Sequence, residues 1–213
     1  MNPGNPETTA KQAARTDAAL VMRCQASDRA AFDDIVLRYQ DRVFSYVRHL
    51  ISDRQDAEDI TQEVFIRAYA SLGSFESRAS LQTWLFRIAT NLCIDYIRKR
   101  RNRDRIPVSL DKLRDEARAD GYGLADVQDD PADALLENEL RHRLLRAVYQ
   151  LPERLRTVVV LHDIEGLPYD QVAGILRCPL GTVKSRLFHA RMALRDLMLP
   201  YLRGDTDQGS SRE

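Results

Sequence analysis

The sequence holds three cysteines, Cys24, Cys93 and Cys178, too few and too far apart to form a paired metal knuckle or an even disulfide framework. Reduced, buried thiols are the expected state. A long hydrophobic run is also missing. The longest uncharged apolar stretch, Val158 to Leu161 with its neighbours, falls far below the roughly 20 residues that cross a bilayer, so no membrane insertion is expected. Residues 1–19 carry Pro3, Pro6, Lys11 and Arg15 but no apolar core such as a secretion signal needs, and the expected location is the cytoplasm. With nine glycines and eight prolines in 213 residues, fibrous and collagen-like chains are excluded. No charge of one sign dominates, because 32 basic side chains meet 32 acidic ones.

That balance is an average over segregated segments. Residues 104–140 hold eleven acidic side chains against four basic ones, whereas residues 141–203 hold eleven basic against five acidic, so each segment suits a partner of opposite sign. Apolar residues at 44% and charged residues at 30% allow a buried core in an ordinary soluble chain.

From Asp28 to Arg101 the apolar residues recur at helical spacing. Phe32, Ile35, Tyr39, Val43, Tyr46 and Leu50 form one stripe, Ile60, Val64, Ala68 and Leu72 a second, and Leu81, Trp84, Leu85, Ile88 and Leu92 a third. Ser52 and Asp53 are placed to cap the second helix, Gly73 to end it and Ser80 to cap the third. No alternating run argues for a strand. Residues 103–133 interrupt the pattern with Pro107, Gly121, Gly123, Pro131 and a run of aspartates, the composition of a flexible acidic linker. Periodicity resumes at Leu135. Val158 to His162 then reads as a helix closed by Gly166, Tyr169 to Leu176 as a short helix, and Thr182 to about Met198 as the last. The expected fold is all-α: two small helical domains, 20–103 and 135–202, a linker over 104–134, and disordered ends at 1–19 and 203–213.

A short helix, a tight turn and a longer helix in PYDQVAGILRCPLGTVKSRLFHAR follow the helix-turn-helix plan. Val172, Ala173 and Leu176 are expected to pack against Val183, Leu187 and Ala190. The remaining face of the last helix offers Thr182, Lys184, Ser185, Arg186, Phe188, His189 and Arg191, whose polar members suit phosphate oxygens and base edges. Arg177 and Arg195 fall to phosphate or solvent. In the first domain DAEDITQEVFIRAYASL brings Asp56, Asp59 and Glu63 together at spacings of three and four. Such carboxylates fit a docking face, a metal site or plain solvated surface. A nuclease site is disfavoured because all three sit on one helix with no basic catalytic partner. Between Arg98 and Arg105 six basic residues meet one acidic residue, more than a helix end needs to balance its dipole, and this is the footprint of a nucleic-acid surface.

The string LPERLRTVVVLHDIEGLPYDQVAGILRCPLGTVKSRLFHARMALR resembles the promoter-reading fourth domain of bacterial RNA polymerase sigma factors, most closely the small extracytoplasmic-function group. DAEDITQEVF resembles the segment by which those proteins grip the clamp helices of the largest polymerase subunit. The resemblance spans residues 20–103 and 135–200. It implies a non-enzymatic subunit without cofactor or metal, which binds core RNA polymerase at the clamp helices and the flap and opens promoter DNA. Asp56, Asp59, Gln62, Glu63 and Phe65 would then meet polymerase. Phe75, Ser77, Arg78, Asn91, Asp95, Arg98, Lys99 and Arg101 would meet the melted minus-ten strand, with the loop 74–80 as a pocket for an extruded base and Phe75 as an exposed aromatic. Trp84, on the apolar stripe, is expected in the core. Thr182, Lys184, Ser185, Arg186, Phe188, His189 and Arg191 would meet the minus-thirty-five element. Many relatives carry arginine in place of Lys184 and His189, and lysine lacks arginine's planar two-pronged contact. The resemblance further implies an anti-sigma partner, which can hold such a protein at the inner membrane. Two rival readings remain: a dimeric helix-turn-helix repressor or activator that works without polymerase, and a metal-dependent nuclease using Asp56, Asp59 and Glu63.

Overall fold

A computed structural model describes residues 6–77, 79–103 and 131–202, with side chains over 16–77, 79–101 and 140–201. Among the described residues all regular structure is helical. The chain divides into two compact units, the first built on the residues up to Arg101 and the second on most of those from Asn102 onward.

The first unit comprises α1 (Pro6–Gln25), α2 (Arg29–Leu50), α3 (Arg54–Ser71), a 3-10 turn (Leu72–Ser74) and α4 (Leu81–Arg103). Asp28 starts α2 by accepting hydrogen bonds from the amides of Ala30 and Ala31 at 3.1 and 3.4 Å. Asp53 starts α3 by accepting from the Asp56 amide at 2.8 Å, and Ser80 starts α4 by accepting from the Thr83 amide at 3.1 Å. At the end of α2 the buried Arg48 donates to the Ser52 carbonyl at 2.5 Å. The three stripes bury nearly as expected, with Phe32 and Ile88 half-buried. At the centre Tyr46 stacks on Phe86 with ring centres 4.7 Å apart. Thr90 donates to the Phe86 carbonyl at 2.6 Å and so accepts from the Tyr46 hydroxyl at 2.7 Å, which satisfies both buried hydroxyls.

At the amino terminus the structure departs from the expectation of a disordered 1–19. Residues 6–25 form one helix, and Asp17, Leu20 and Val21 on it are buried. Tyr39 donates to Asp17 at 2.5 Å, and Arg38 lies 3.2 Å from the same carboxylate. Burial, reinforced by that carboxylate, raises the Tyr39 phenol well above its ordinary range. A charged residue thus occupies the place where the apolar stripe would otherwise continue towards the chain start.

The second unit comprises α5 (Pro131–Gln150), α6 (Glu153–Val159), a π turn (Val160–Ile164), α7 (Tyr169–Leu176) and α8 (Leu180–Leu202). Here α5 begins at Pro131, four residues earlier than the apolar stripe suggests, with proline at a helix start. The linker reading over 104–130 and the tail reading over 203–213 lie outside the described residues. Gly166 adopts φ 71°, a left-handed conformation that glycine takes without cost, and closes the π turn. On α7 the buried positions are Val172 and Ile175, while Ala173 and Leu176 are only half-buried; the inward pair is three residues apart on one face. Val183, Leu187 and Ala190 of α8 are buried as expected, beside Val158 to Leu161.

Asp17→Ala leaves the Tyr39 hydroxyl buried without its acceptor. A loss of about 2 kcal/mol is expected in urea unfolding of the full chain, and an unchanged midpoint would detach α1 from the core.

Candidate functional site

The chemistry-bearing residues fall on three helices, each with one face in a core. On α3 that core face carries Ile60, Val64, Phe65 and Ala68. Phe65, expected to meet polymerase, is only 8% exposed and is a core side chain. The apolar surface of this helix belongs instead to Ile66 and Tyr69, 62% and 53% exposed, of which Ile66 follows Gln62 by four residues and Tyr69 follows it by seven along one side. Sequence reasoning missed both, although hydrophobic residues off the core stripe were the available signal. Asp59 and Gln62 are exposed, and Glu63 is half-buried and paired with Arg67 at 2.7 Å.

Asp56 points elsewhere. Tyr96 of α4 donates a hydrogen bond to its carboxylate, Arg100 stands 3.5 Å from it, and Arg100 also donates to the Tyr96 hydroxyl at 3.0 Å. Burial, then the bond to Asp56, raises the Tyr96 phenol above its usual range, so it stays a donor. The link ties α3 to α4 and engages Asp56 within the fold, with its side chain still 36% exposed. Among the described residues no group of three His, Cys, Asp or Glu side chains is arranged to hold a metal ion.

On α4 the exposed residues Asn91, Asp95 and Arg98 follow one another at offsets of four and three, and the exposed Arg87 extends the same face one turn earlier. Arg87 is a further cation that the sequence reading passed over. Asp95 lies 3.9 Å from Arg98; Lys99 and Arg101 are exposed near the helix end. Arg100, linked to Asp56, lies on the opposite side. The preceding loop is fixed at its base. Gln25 of α1 donates to the carbonyls of Leu72 and Phe75 at 3.2 and 3.1 Å. Phe75 is half-buried with its ring 5.1 Å from the buried Trp84, so Trp84 sits in the core as expected, whereas Phe75 is not freely exposed. Ser77 is exposed at φ 55°, a left-handed conformation unfavourable for a residue with a β-carbon. Arg78 lies outside the described residues.

Arg177 follows the end of α7 at φ 49°, and the Cys178 amide bonds back to the Ala173 carbonyl at 3.2 Å, a reversal that usually carries glycine. The Pro179 carbonyl then accepts from the amides of Thr182 and Val183 at 2.9 and 3.3 Å, which starts α8 two residues before the expected point. With Val183, Leu187 and Ala190 inward, Lys184, Ser185, Phe188 and His189 are exposed on the other side. Phe188 is 62% exposed and meets the His189 ring edge-on at 5.6 Å. Thr182 and Arg186 are half-buried at a flank. Lys184 lies 5.9 Å from the ring centre of Tyr169, within cation–π range. Arg191 is engaged by the carboxylate of Asp163 through two hydrogen bonds.

A helix-turn-helix with a polar recognition face, and a separate helical unit with a cationic helix end, define a DNA-binding transcription protein. Residues 35–103 match the family description Sigma-70 region 2, and residues 141–194 match Sigma-70, region 4. The chain is 38% identical over 189 residues to the RNA polymerase sigma-H factor of Pseudomonas aeruginosa, covering 88% of this chain and 96% of that protein. It is also 38% identical to the ECF RNA polymerase sigma-E factor of Escherichia coli K12, covering 88% and 97%. Among solved structures it resembles the sigma factor RpoE of Bartonella quintana in complex with the anti-sigma factor NepR, with TM-score 0.60, 25% identity and coverage of 79% and 96%. CnrH in complex with the cytosolic domain of CnrY shares the fold at TM-score 0.60 and 23% identity, over 90% of this chain and 99% of that one. The chain belongs to the extracytoplasmic-function sigma factors of the sigma-70 family.

Phe65→Ala is expected to cost about 3 kcal/mol or more and to lower the unfolding midpoint, whereas Ile66→Ala leaves it unchanged. Equal midpoints for the two variants would reverse their assignment to core and surface.

Proposed function

We propose that the first unit docks on core RNA polymerase through the exposed side of α3 and holds the melted minus-ten strand along α4, while α8 reads the minus-thirty-five element as duplex. Asp59, Gln62, Glu63, Ile66 and Tyr69 form the docking set, in which acidic and amide groups surround two apolar contacts suited to the clamp helices of the largest polymerase subunit. Arg87, Asn91, Asp95, Arg98, Lys99 and Arg101 form the strand-binding set, joined by the loop 74–80. Lys184, Ser185, Phe188 and His189 form the reading set, with Thr182 and Arg186 at its edge. RNA synthesis itself belongs to the core enzyme.

The observation that carries this reading is the separation of charge and apolarity within the first unit. One helix exposes Ile66 and Tyr69 beside carboxylates, and the next exposes four cations, Arg87, Arg98, Lys99 and Arg101, with Asn91 and one carboxylate, Asp95. The sigma-factor relatives favour polymerase as the partner of the first surface over a second copy of a repressor. Two units on one chain bind as a bivalent clamp, so each attachment raises the effective concentration of the other. The polymerase flap is the expected second contact for the carboxy-terminal unit.

Control by an anti-sigma factor follows from the resemblance to the Bartonella quintana protein, whose structure is a complex with one. Among the described residues no helix is long and apolar enough to cross a membrane. Partnership with core RNA polymerase places the protein in the cytoplasm in this reading, with any hold at the inner membrane supplied by the anti-sigma factor.

Run-off transcription from a promoter library with core polymerase tests the whole reading. New start sites are expected only when the chain is present, and Asp59→Ala or Ile66→Ala is expected to weaken core binding about tenfold. Both variants should keep the duplex binding of the wild-type chain, and parallel loss of the two activities would refute separate surfaces.

A further inference from the structure

α8 carries four cationic side chains within its described length, Lys184, Arg186, Arg191 and Arg195, and charge alone would give all of them to DNA. The structure opposes two of them with carboxylates: Arg195 bonds to one oxygen of Asp196, its neighbour on the same helix, whereas Arg191 is held by an acid from outside α8. Its Nε donates to one oxygen of Asp163 at 3.1 Å and its Nη2 donates to the other, so both carboxylate oxygens face one edge of the guanidinium. That fork is the geometry in which arginine would otherwise grip a phosphate. The bond to Asp163 also raises the guanidinium's pKa, so its charge is kept and opposed by an adjacent carboxylate.

Asp163 itself is held in place. It lies in the π turn that follows α6, whose register is marked by the Glu165 amide bonding to the Val160 carbonyl at 2.9 Å and the Leu167 amide to the Leu161 carbonyl at 3.0 Å. A π turn inside a helix is uncommon and often marks a working part of a fold. Its neighbour His162 is fixed twice, by a 2.7 Å bond between Nδ1 and the Leu167 carbonyl and by stacking on Tyr169 at 4.4 Å. Val160 and Leu161 anchor the turn in the core. The carboxylate that meets Arg191 therefore stands on a rigid base, and the guanidinium is the longer and freer partner.

We propose that Asp163 is a positioning residue that keeps Arg191 out of the DNA contact set, so that α8 meets a duplex with one cation fewer than its sequence offers. The proposal rests on the reading of α8 as a duplex-binding helix. Its consequence is a lower non-specific affinity, since phosphate contacts strengthen binding to all sequences alike while base contacts do not. The two-pronged pair is the strong form of an arginine–carboxylate contact, and replacing Asp163 by an amide removes the opposing charge and releases the guanidinium.

The test is a cycle of four full-length proteins, wild type, Asp163→Asn, Arg191→Ala and the double variant, titrated with a fluorescent mixed-sequence duplex over a range of salt. Asp163→Asn is expected to bind several-fold tighter, with the slope of log affinity against log salt steeper by about 0.9, one released counterion. Arg191→Ala should keep the wild-type slope, and the double variant should return to it. A slope shallower by about 0.9 in Arg191→Ala would show a phosphate contact already made in the wild type, which overturns the proposal. So would a gain from Asp163→Asn that persists in the double variant, because it would then come from the lost negative charge alone. Absence of duplex binding by the wild type would instead sink the reading of α8, and this inference with it.

Discussion

Everything on these surfaces follows from the burial of one stripe per helix. Ile60, Val64, Phe65 and Ala68 draw one side of α3 into the core, and a helix that commits one side to a core must turn the opposite side outward. The same constraint sets α8 through Val183, Leu187 and Ala190, and α4 through Leu85, Ala89 and Leu92. Which residues can meet polymerase or DNA is decided by the angle each holds relative to those stripes. Phe65 and Ile66 are adjacent in sequence and have opposite fates for that reason alone.

A second theme is the allocation of carboxylates. Asp17, Asp56 and Asp163 each engage side chains of the protein itself, respectively Tyr39 and Arg38, Tyr96 and Arg100, and Arg191. Such acids read in sequence like surface charge. In the fold they join one element to another, α1 to α2, α3 to α4 and the π turn to α8, and they leave Asp59 exposed. Hydrogen bonds between a carboxylate and a phenol or guanidinium are stronger than neutral ones and directional, so they fix the relative rotation of two helices where apolar contact alone would allow them to slip.

Much of this was legible in the sequence because helical periodicity is a strong signal. The three stripes of the first unit, the caps at Asp53 and Ser80, the core position of Trp84 and the helix-turn-helix strings were all readable from spacing and residue type. What was not legible has a common cause. α1 was missed because its buried face includes Asp17, and a pattern of apolar residues does not register a buried charge. The start of α8 was placed late because its first turn is held by the Pro179 carbonyl, a backbone contact with no side-chain signature. The pairings Asp56–Arg100 and Asp163–Arg191 join residues 44 and 28 positions apart, and only the fold brings them together.

The central claim is that two surfaces on one chain serve different partners, and site-specific photo-cross-linking tests it most directly. With a cross-linking residue placed at Ile66 in one protein and at Phe188 in another, the account predicts capture of the largest polymerase subunit from the first position whether or not DNA is present. From the second it predicts capture of promoter duplex. Cross-links from Ile66 to DNA, or none from Phe188 to duplex in a complex active for transcription, would contradict it.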